Sequence, residues 1–287
     1  MSSMIKGIIL DIDGVIVGEK VGLNSPYPHE QVLAKLRSIR NRGIPITLCT
    51  AKPHFSIDKI VLDAGLNNMH ITDGGAVIIN PLTREIVEEH NLDTNISIQI
   101  IQVLIANNVY TEFYTANDYF IQRSQQNFIT PQHVHILQKD PILVDDLRSE
   151  ANKQKITKIM PIALDVADKT KVATILSKWD KLATISWGIH PVALPLQFGI
   201  VTALGISKKE STISVAKLLG IKLTDYLGVG DSLSDWQFIE ICGQGAAMGN
   251  AAEDLKQLVT SKGKGKWYIG STVNENGIIN ILDYFIK

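Results

Sequence analysis

The chain has 287 residues, 45% hydrophobic and 20% charged, with 28 Lys and Arg against 29 Asp and Glu. That length is ample for a sizeable core in one large or two ordinary domains. The near-neutral balance gives no support to a nucleic-acid or other polyanion-binding surface. No apolar run approaches the roughly 20 residues that span a bilayer. No long apolar segment precedes the first acidic residue, so no signal peptide is expected and the cytoplasm is the expected location. The two cysteines, Cys49 and Cys242, sit in apolar contexts and are expected to be buried free thiols rather than a disulfide.

The first eighty residues alternate strand and helix. Ile8, Ile9 and Leu10 form a continuous apolar run, the pattern of a strand covered on both faces of a parallel sheet. Residues 29–43 place Val32, Leu33, Leu36 and Ile39 at helical spacing before Gly43. Residues 44–50 (IPITLCT) read as a strand, and 53–65 as a helix opened by Pro53 and closed by Gly65. Residues 70–80 (HITDGGAVIIN) read as a turn between short extended segments. This βαβ series predicts a parallel sheet.

The character changes near Pro81. Residues 94–108 look helical, and 109–123 give two short strands around Ala116, Asn117 and Asp118. Residues 155–164 are strand-like, 168–180 helical and 181–187 a strand. His133 and His135 alternate in a segment read as strand or loop and are given a structural role. A repeated mixture of one helix with two strands predicts an α+β module with an antiparallel sheet. The βαβ character then returns: helix 208–220, strand 225–231, helix 233–242 and a short strand at 243–249. Residues 261–267 (SKGKGKW) read as a solvated loop. The expected fold is therefore α/β, a Rossmann-like parallel-sheet domain from residues 1–81 and 198–287 with an α+β domain, 82–197, inserted into it.

Four separated features carry chemistry if they meet at one sheet edge. Asp11 and Asp13 end the first strand on the same side, because side chains alternate with period two. In open α/β sheets the ligand crevice lies beyond the carboxyl ends of the strands. Two unpaired like charges buried together are costly, so a hard cation such as Mg²⁺ between them fits the oxygen ligands. An Asx-turn with a solvated second Asp is the competing reading. Thr50, ending the next strand, offers a hydroxyl to a phosphate oxygen or, alternatively, a helix N-cap. Lys208 stands at a helix entrance, where the dipole disfavours a cation; it serves an anion there, or is an ordinary surface lysine, and Lys209 shares the position nearly as well. Asp231 ends an apolar strand and Asp235 follows a short turn later, either a second carboxylate arm of a metal site or an N-cap and first-turn acid.

With these residues in view, the sequence resembles the haloacid dehalogenase superfamily, specifically the Cof-type phosphatases with an inserted class IIB cap. The resemblance rests on DIDGV (11–15), LCTAKP (48–53), GISK (205–208), GVGDSLSD (228–235) and AAMGNAAEDLK (246–256), with weaker echoes at 71–78 and 274–282. It implies that Asp11 is the nucleophile and forms an aspartyl-phosphate, and that Asp13 protonates the leaving oxygen and then activates water. It implies that Thr50 and Lys208 hold the phosphoryl group and that Asn250 lies near it. It implies Mg²⁺ at Asp11, Asp231 and the carbonyl of Asp13, with Asp235 supporting that site. Asp13 then needs a pKa high enough to carry a proton. Three positions depart from the family pattern: Val15 for the usual Thr, Ser234 for Asn, and Lys52 for a frequent Arg.

The function expected is Mg²⁺-dependent hydrolysis of a phosphomonoester of a small metabolite, a sugar phosphate or similar, by a monomer or homodimer with no nucleic-acid or membrane partner. The rivals are a phosphomutase, disfavoured because Arg84, Arg123 and Arg148 form no cluster, and a catalytically silent binding protein on the same scaffold. Tyr114, Arg123 and Trp187 are candidates for substrate specificity by residue type, core packing being the alternative for the two aromatics.

Overall fold

The computed structural model describes residues 5–287. In chain order its regular elements begin β1 (Gly7–Leu10), α1 (Glu30–Asn41), β2 (Ile46–Leu48), α2 (Asp58–Ala64), β3 (His70–Thr72), β4 (Val77–Asn80) and β5 (Glu85–Glu89). They continue α3 (Thr94–Ala106), β6 (Tyr110–Tyr114), β7 (Tyr119–Gln122), α4 (Ile129–Leu137), β8 (Ile142–Val144), α5 (Leu147–Ala151), β9 (Lys158–Ala163), α6 (Val166–Leu176), β10 (Ala183–Gly188) and β11 (Gln197–Ala203). The last are α7 (Lys208–Leu218), β12 (Tyr226–Gly230), α8 (Trp236–Ile239), β13 (Gln244–Ala247), α9 (Glu253–Thr260), β14 (Trp267–Ile269) and α10 (Gly277–Phe285).

Five strands form an all-parallel sheet in the order β14-β13-β12-β1-β2. Its alternation is visible in β1. Ile8 and Leu10 pack with α1, α2 and α10 residues such as Leu36, Val61 and Ile281. Ile9 faces the opposite side, with Val215, Phe238 and Leu255 of α7, α8 and α9. Helices on both faces explain why β1 is apolar at every position. Each fully buried aliphatic side chain of this kind contributes roughly 1.5–3 kcal/mol.

A second sheet has six strands in the order β10-β11-β9-β6-β7-β8. It is antiparallel except for β7 and β8, which run parallel, so the expected antiparallel sheet is in fact mixed. One face packs on α3, α5 and α6 through Phe113, Ile159 and Val201. The other carries Tyr114, Met160, Phe198 and Ile200, which meet α4 and also Ala51 and Phe55 from the loop after β2. That second face therefore looks onto the carboxyl edge of the parallel sheet.

Strand pairing runs past both ends of the segment expected as an insertion. β5 pairs with β4 in a small antiparallel sheet, so the 81/82 limit falls inside that hairpin. β11 pairs with β9 and β10, so the 197/198 limit would remove an inner strand of the six-stranded sheet. The His133–His135 segment is the helix α4, not strand or loop. Its Pro131 sits in the first turn, where the missing N–H has no intrahelical partner to lose. The Lys-Gly loop ends in a strand after all, with Trp267 opening β14 beside β13. Residues 233–242 are a 3₁₀ turn followed by the short α8 rather than one helix.

A buried ion pair ties the six-stranded sheet to the loops of the parallel one. Lys158 of β9 lies 3.1 Å from Asp73 after β3, with neither side chain exposed. Its Nζ also donates to the Ala51 carbonyl at 2.7 Å and lies 3.8 Å from the centre of the Tyr114 ring. Both cysteines are free and buried, as expected, and burial pushes the Cys242 thiol up to about 12. No helix among the described residues is long and apolar enough to cross a membrane.

Candidate active site

The carboxyl ends of β1, β2 and β12 and the start of α7 converge on one crevice. Asp11 extends the β1 pairing, its N–H donating to the Val229 carbonyl at 3.1 Å. The chain then turns at Gly14, whose φ is +81°. A Cβ at Gly14 would lie 1.9 Å from Asp231 Oδ2, so only glycine allows the two loops to approach this closely. Lys208 is the first residue of α7, behind the Ser207 N-cap, and folds back over the carboxylates. Its Nζ donates to Asp11 Oδ1 at 2.9 Å and to Asp235 Oδ1 at 2.7 Å.

Asp235 is fully buried and its remaining oxygen shapes the loop after β12. Oδ2 accepts from the N–H groups of Asp231 and Ser232, each at 3.0 Å, and from Ser232 Oγ at 3.1 Å. With both oxygens so engaged, Asp235 orients Lys208 and Asp231. Ser234, in place of the family's Asn, shares a hydrogen bond of 2.8 Å with Ser232 Oγ. Ligand oxygens of Asp11, Asp231 and Asp235 all lie within 4.8 Å of one another.

Three carboxylates and one ammonium leave this buried cluster short of positive charge. Burial, then Asp235, push the Asp11 carboxyl up to about 7, against the opposing pull of Lys208. Burial, Asp235 and Asp11 likewise hold Asp231 well above the ordinary carboxylate range. Burial disfavours the charged form of Lys208, but Asp11 and Asp235 overcome it and lift its pKa well above the ordinary value. Clustered carboxylate oxygens with this deficit fit a hard divalent cation, which would relieve the mutual repulsion.

Asp13 is held differently. Lys52 Nζ lies 2.7 Å and His190 Nε2 3.0 Å from its Oδ1. His190 Nδ1 accepts from the Val192 N–H at 3.3 Å, which places the ring proton on Nε2, facing Asp13. Burial would raise the Asp13 pKa, but Lys52 and then His190 outweigh it and hold the carboxyl far below the ordinary range. The expected proton-carrying Asp13 is thus not what the structure shows. It is an ionised carboxylate, because Lys52 donates to it and His190 stands beside it. Burial lowers the His190 pKa despite the nearby carboxylate, so the imidazole is neutral.

Thr50 lines the same crevice as Asp11, Asp13, Lys208 and Asp231. Its Oγ1 accepts from the Lys52 N–H at 3.1 Å, within the turn rather than at a helix N-terminus. Asn250 is the exception among the expected phosphate contacts. Its Nδ2 donates to the Gly14 carbonyl at 2.9 Å and its Oδ1 accepts from the Val273 N–H at 2.8 Å. It braces the Asp13–Gly14 turn and does not line the crevice. None of the three specificity candidates lines it either. Tyr114 is buried with its hydroxyl on Glu112, Arg123 pairs with Asp145 on the surface, and Trp187 packs against the α6 side of its sheet. Sequence reasoning missed His190, a lone histidine whose meeting with Asp13 depends on a contact across 177 residues of chain.

The profile of the haloacid dehalogenase-like hydrolases matches residues 8–282. Phosphatase YwpJ of Bacillus subtilis is 24% identical, the match covering 98% of this chain and 100% of the relative. The 5-amino-6-(5-phospho-D-ribitylamino)uracil phosphatase YwtE of the same organism is 23% identical, over 98% of each chain. Among solved structures, a haloacid dehalogenase subclass IIB sugar phosphatase superposes with a TM-score of 0.79 at 20% identity, covering 98% of each chain. At that identity the likeness speaks for the fold.

Proposed function

Since the chain belongs to the haloacid dehalogenase-like hydrolases, as a Cof-type phosphoric monoester hydrolase, we propose that it hydrolyses a phosphomonoester of a small metabolite, a sugar phosphate or similar, through an aspartyl-phosphate on Asp11. The observation that carries this reading is the Lys208 bridge between Asp11 and Asp235 with Asp231 beside it. It gives a carboxylate nucleophile a neighbouring cation and a place for a second one.

Asp11, Asp231 and the Asp13 carbonyl would hold Mg²⁺, with Asp235 orienting its neighbours. Bound there, the ion supplies charge neutralisation for the incoming phosphate and for Asp11. Thr50 and Lys208 bind phosphoryl oxygens. An oxygen of Asp11 attacks phosphorus, the bond to the leaving oxygen breaks, and water later releases inorganic phosphate from Asp11. Asp13, held as the carboxylate by Lys52 and His190, is arranged as the base that takes a proton from that water. The leaving oxygen takes its proton from Asp13 in the acid form, carrying the proton removed from water in the preceding turnover. This requires substrate to draw Asp13 away from Lys52 and His190.

Hydrolysis is favoured over phosphoryl return to the substrate because Arg84, Arg123 and Arg148 all lie outside the crevice. We also propose that residues from about 90 to 203 act as the cap over the parallel-sheet domain, since they carry the whole six-stranded sheet. The reading is tested by assaying purified protein against a panel of phosphomonoesters with and without Mg²⁺. Release of inorganic phosphate that needs the metal supports it; turnover indifferent to metal, or none, opposes it.

A further inference from the structure

Two cavities meet at Asp13. The first, lined by Asp11, Thr50, Lys208 and Asp231, measures about 70 Å³. That is room for several waters, enough to admit a phosphoryl group. The second, also about 70 Å³, lies on the far side of Asp13 between the loop Ala51–Pro53 and the inner face of the six-stranded sheet. Its walls are largely apolar: Ile136, Leu137, Met160, Ile189 and Phe198. A leaving group whose oxygen meets Asp13 extends into this space.

The polar side chains of the second cavity are nearly all committed. Lys52 and His190 face Asp13 at 2.7 and 3.0 Å, and Lys158 lies 3.1 Å from Asp73. His133 differs. It is 4% exposed, and its Nδ1 lies 2.8 Å from Oε1 of Glu112, itself 1% exposed. The other Glu112 oxygen accepts from the Tyr114 hydroxyl. A carboxylate only accepts, so Nδ1 carries a proton, and in the neutral imidazole it is Nε2 that offers a lone pair. Among the described residues Nε2 has no hydrogen-bond partner, and the ring lines the cavity.

We propose that this second cavity receives the leaving group, and that His133 Nε2 accepts a hydrogen bond from its hydroxyl or N–H. This narrows the small phosphomonoesters named above to those with an uncharged, otherwise largely apolar leaving group and disfavours polyhydroxylated sugar phosphates. The proposal rests on the hydrolytic reading given above. A carboxylate or second phosphate on the leaving group would be desolvated there with no uncommitted cation to meet it. One polar contact in an apolar chamber selects for one matched donor, because an unmatched one loses its hydrogen bond to water. Glu112 and Tyr114 fix the tautomer and angle of His133 without touching the substrate.

The test compares phenyl phosphate, the three hydroxyphenyl phosphate isomers and phosphoglycolate with Mg²⁺ in the wild type, His133→Asn and His133→Gln. In the wild type at least one hydroxyphenyl isomer exceeds phenyl phosphate by about tenfold in kcat/KM, chiefly through KM, as one net hydrogen bond allows. Phosphoglycolate falls below phenyl phosphate. His133→Asn keeps an amide near Nδ1 but nothing at Nε2, and brings the ratio of hydroxyphenyl to phenyl phosphate close to one. His133→Gln, reaching the Nε2 position, keeps part of it. A ratio near one in the wild type, a ratio unmoved in His133→Asn, or a preference for phosphoglycolate overturns the proposal. Absence of turnover on every ester would instead sink the hydrolytic reading. The cavity is then decided by titrating dihydroxybenzenes against phenol in the presence of inorganic phosphate. Tighter dihydroxybenzene binding that is lost in His133→Asn supports the assignment, and equal affinities in the wild type overturn it.

Discussion

Replacing Asp11 with Asn should stabilise the metal-free protein while it destroys the nucleophile. The folded carboxyl titrates near 7 where the ordinary value is 3.8, mainly because burial and Asp235 disfavour its charge. Its folded pKa is the higher one, so between about pH 4 and 7 the unfolded chain binds fewer protons and stability falls as pH rises. At 1.36 kcal/mol for each pH unit separating the two values, the ionised carboxylate costs about 4 kcal/mol at pH 8. Asn keeps the shape but gives up the charge that Lys208 pairs at 2.9 Å. The pull of Lys208 is already contained in that value, so the gain is reduced only by the amide donor that Asn places in the buried cluster, which leaves a net of about 1–3 kcal/mol. For a chain of this size that raises Tm by about 2–8 °C. Differential scanning calorimetry in EDTA at pH 8 and pH 5 reads it directly. The variant should melt higher at pH 8, and the gap should shrink at pH 5, where the folded wild type already carries the proton. Adding Mg²⁺ should stabilise the wild type more than the variant, by mass action on a better site. A variant no more stable than wild type at pH 8, or a gap indifferent to pH, would refute the reasoning.

Asp231→Ala should weaken Mg²⁺ binding and phosphatase turnover together, read by titration calorimetry and by the Mg²⁺ dependence of rate, because it deletes a carboxylate from the cluster. Asp235→Ala, in contrast, should cost stability as well, since its Oδ2 holds the Asp231–Ser232 turn; stranding those donors costs about 1–3 kcal/mol in denaturant titrations, while Lys208 keeps Asp11 as its partner. Gly14→Ala should lower activity severely, because its side chain would fall on Asp231 at a φ of +81°; a Gly14→Ala enzyme with wild-type Mg²⁺ affinity would count against the close approach. Lys158→Met should lose about 3–5 kcal/mol by stranding the Asp73 carboxylate, and adding Asp73→Leu should return most of it in urea unfolding.

The parts of the site that a linear reading reaches are those written into one strand end. Asp11 and Asp13 follow a fully apolar run, and Asp231 follows another, so the strand pattern itself places them on the ligand edge. Lys208 betrays itself by standing where a helix dipole disfavours it. What pairing alone decides could not be read. β11 looks like any strand until its partners show that it belongs with β9 and β10. The ionised state of Asp13 depends on Lys52 and His190, 39 and 177 residues away. Asn250 matched a motif, yet its amide is used on the Gly14 carbonyl, a main-chain bond that no motif records. His133 sits in a helix whose alternating His and Val imitate a strand, and only the folded chain brings it to the wall beside Asp13.

The central claim is that phosphate passes through Asp11. It is tested most directly by mixing purified protein with phenyl phosphate and Mg²⁺, quenching in acid within one turnover, and mapping the added phosphoryl mass by peptide mass spectrometry. A phosphoryl group on the peptide containing Asp11, transient in the wild type and missing in Asp11→Asn together with turnover, is the predicted result. Phosphate release that continues in Asp11→Asn, or a label on another residue, would contradict it.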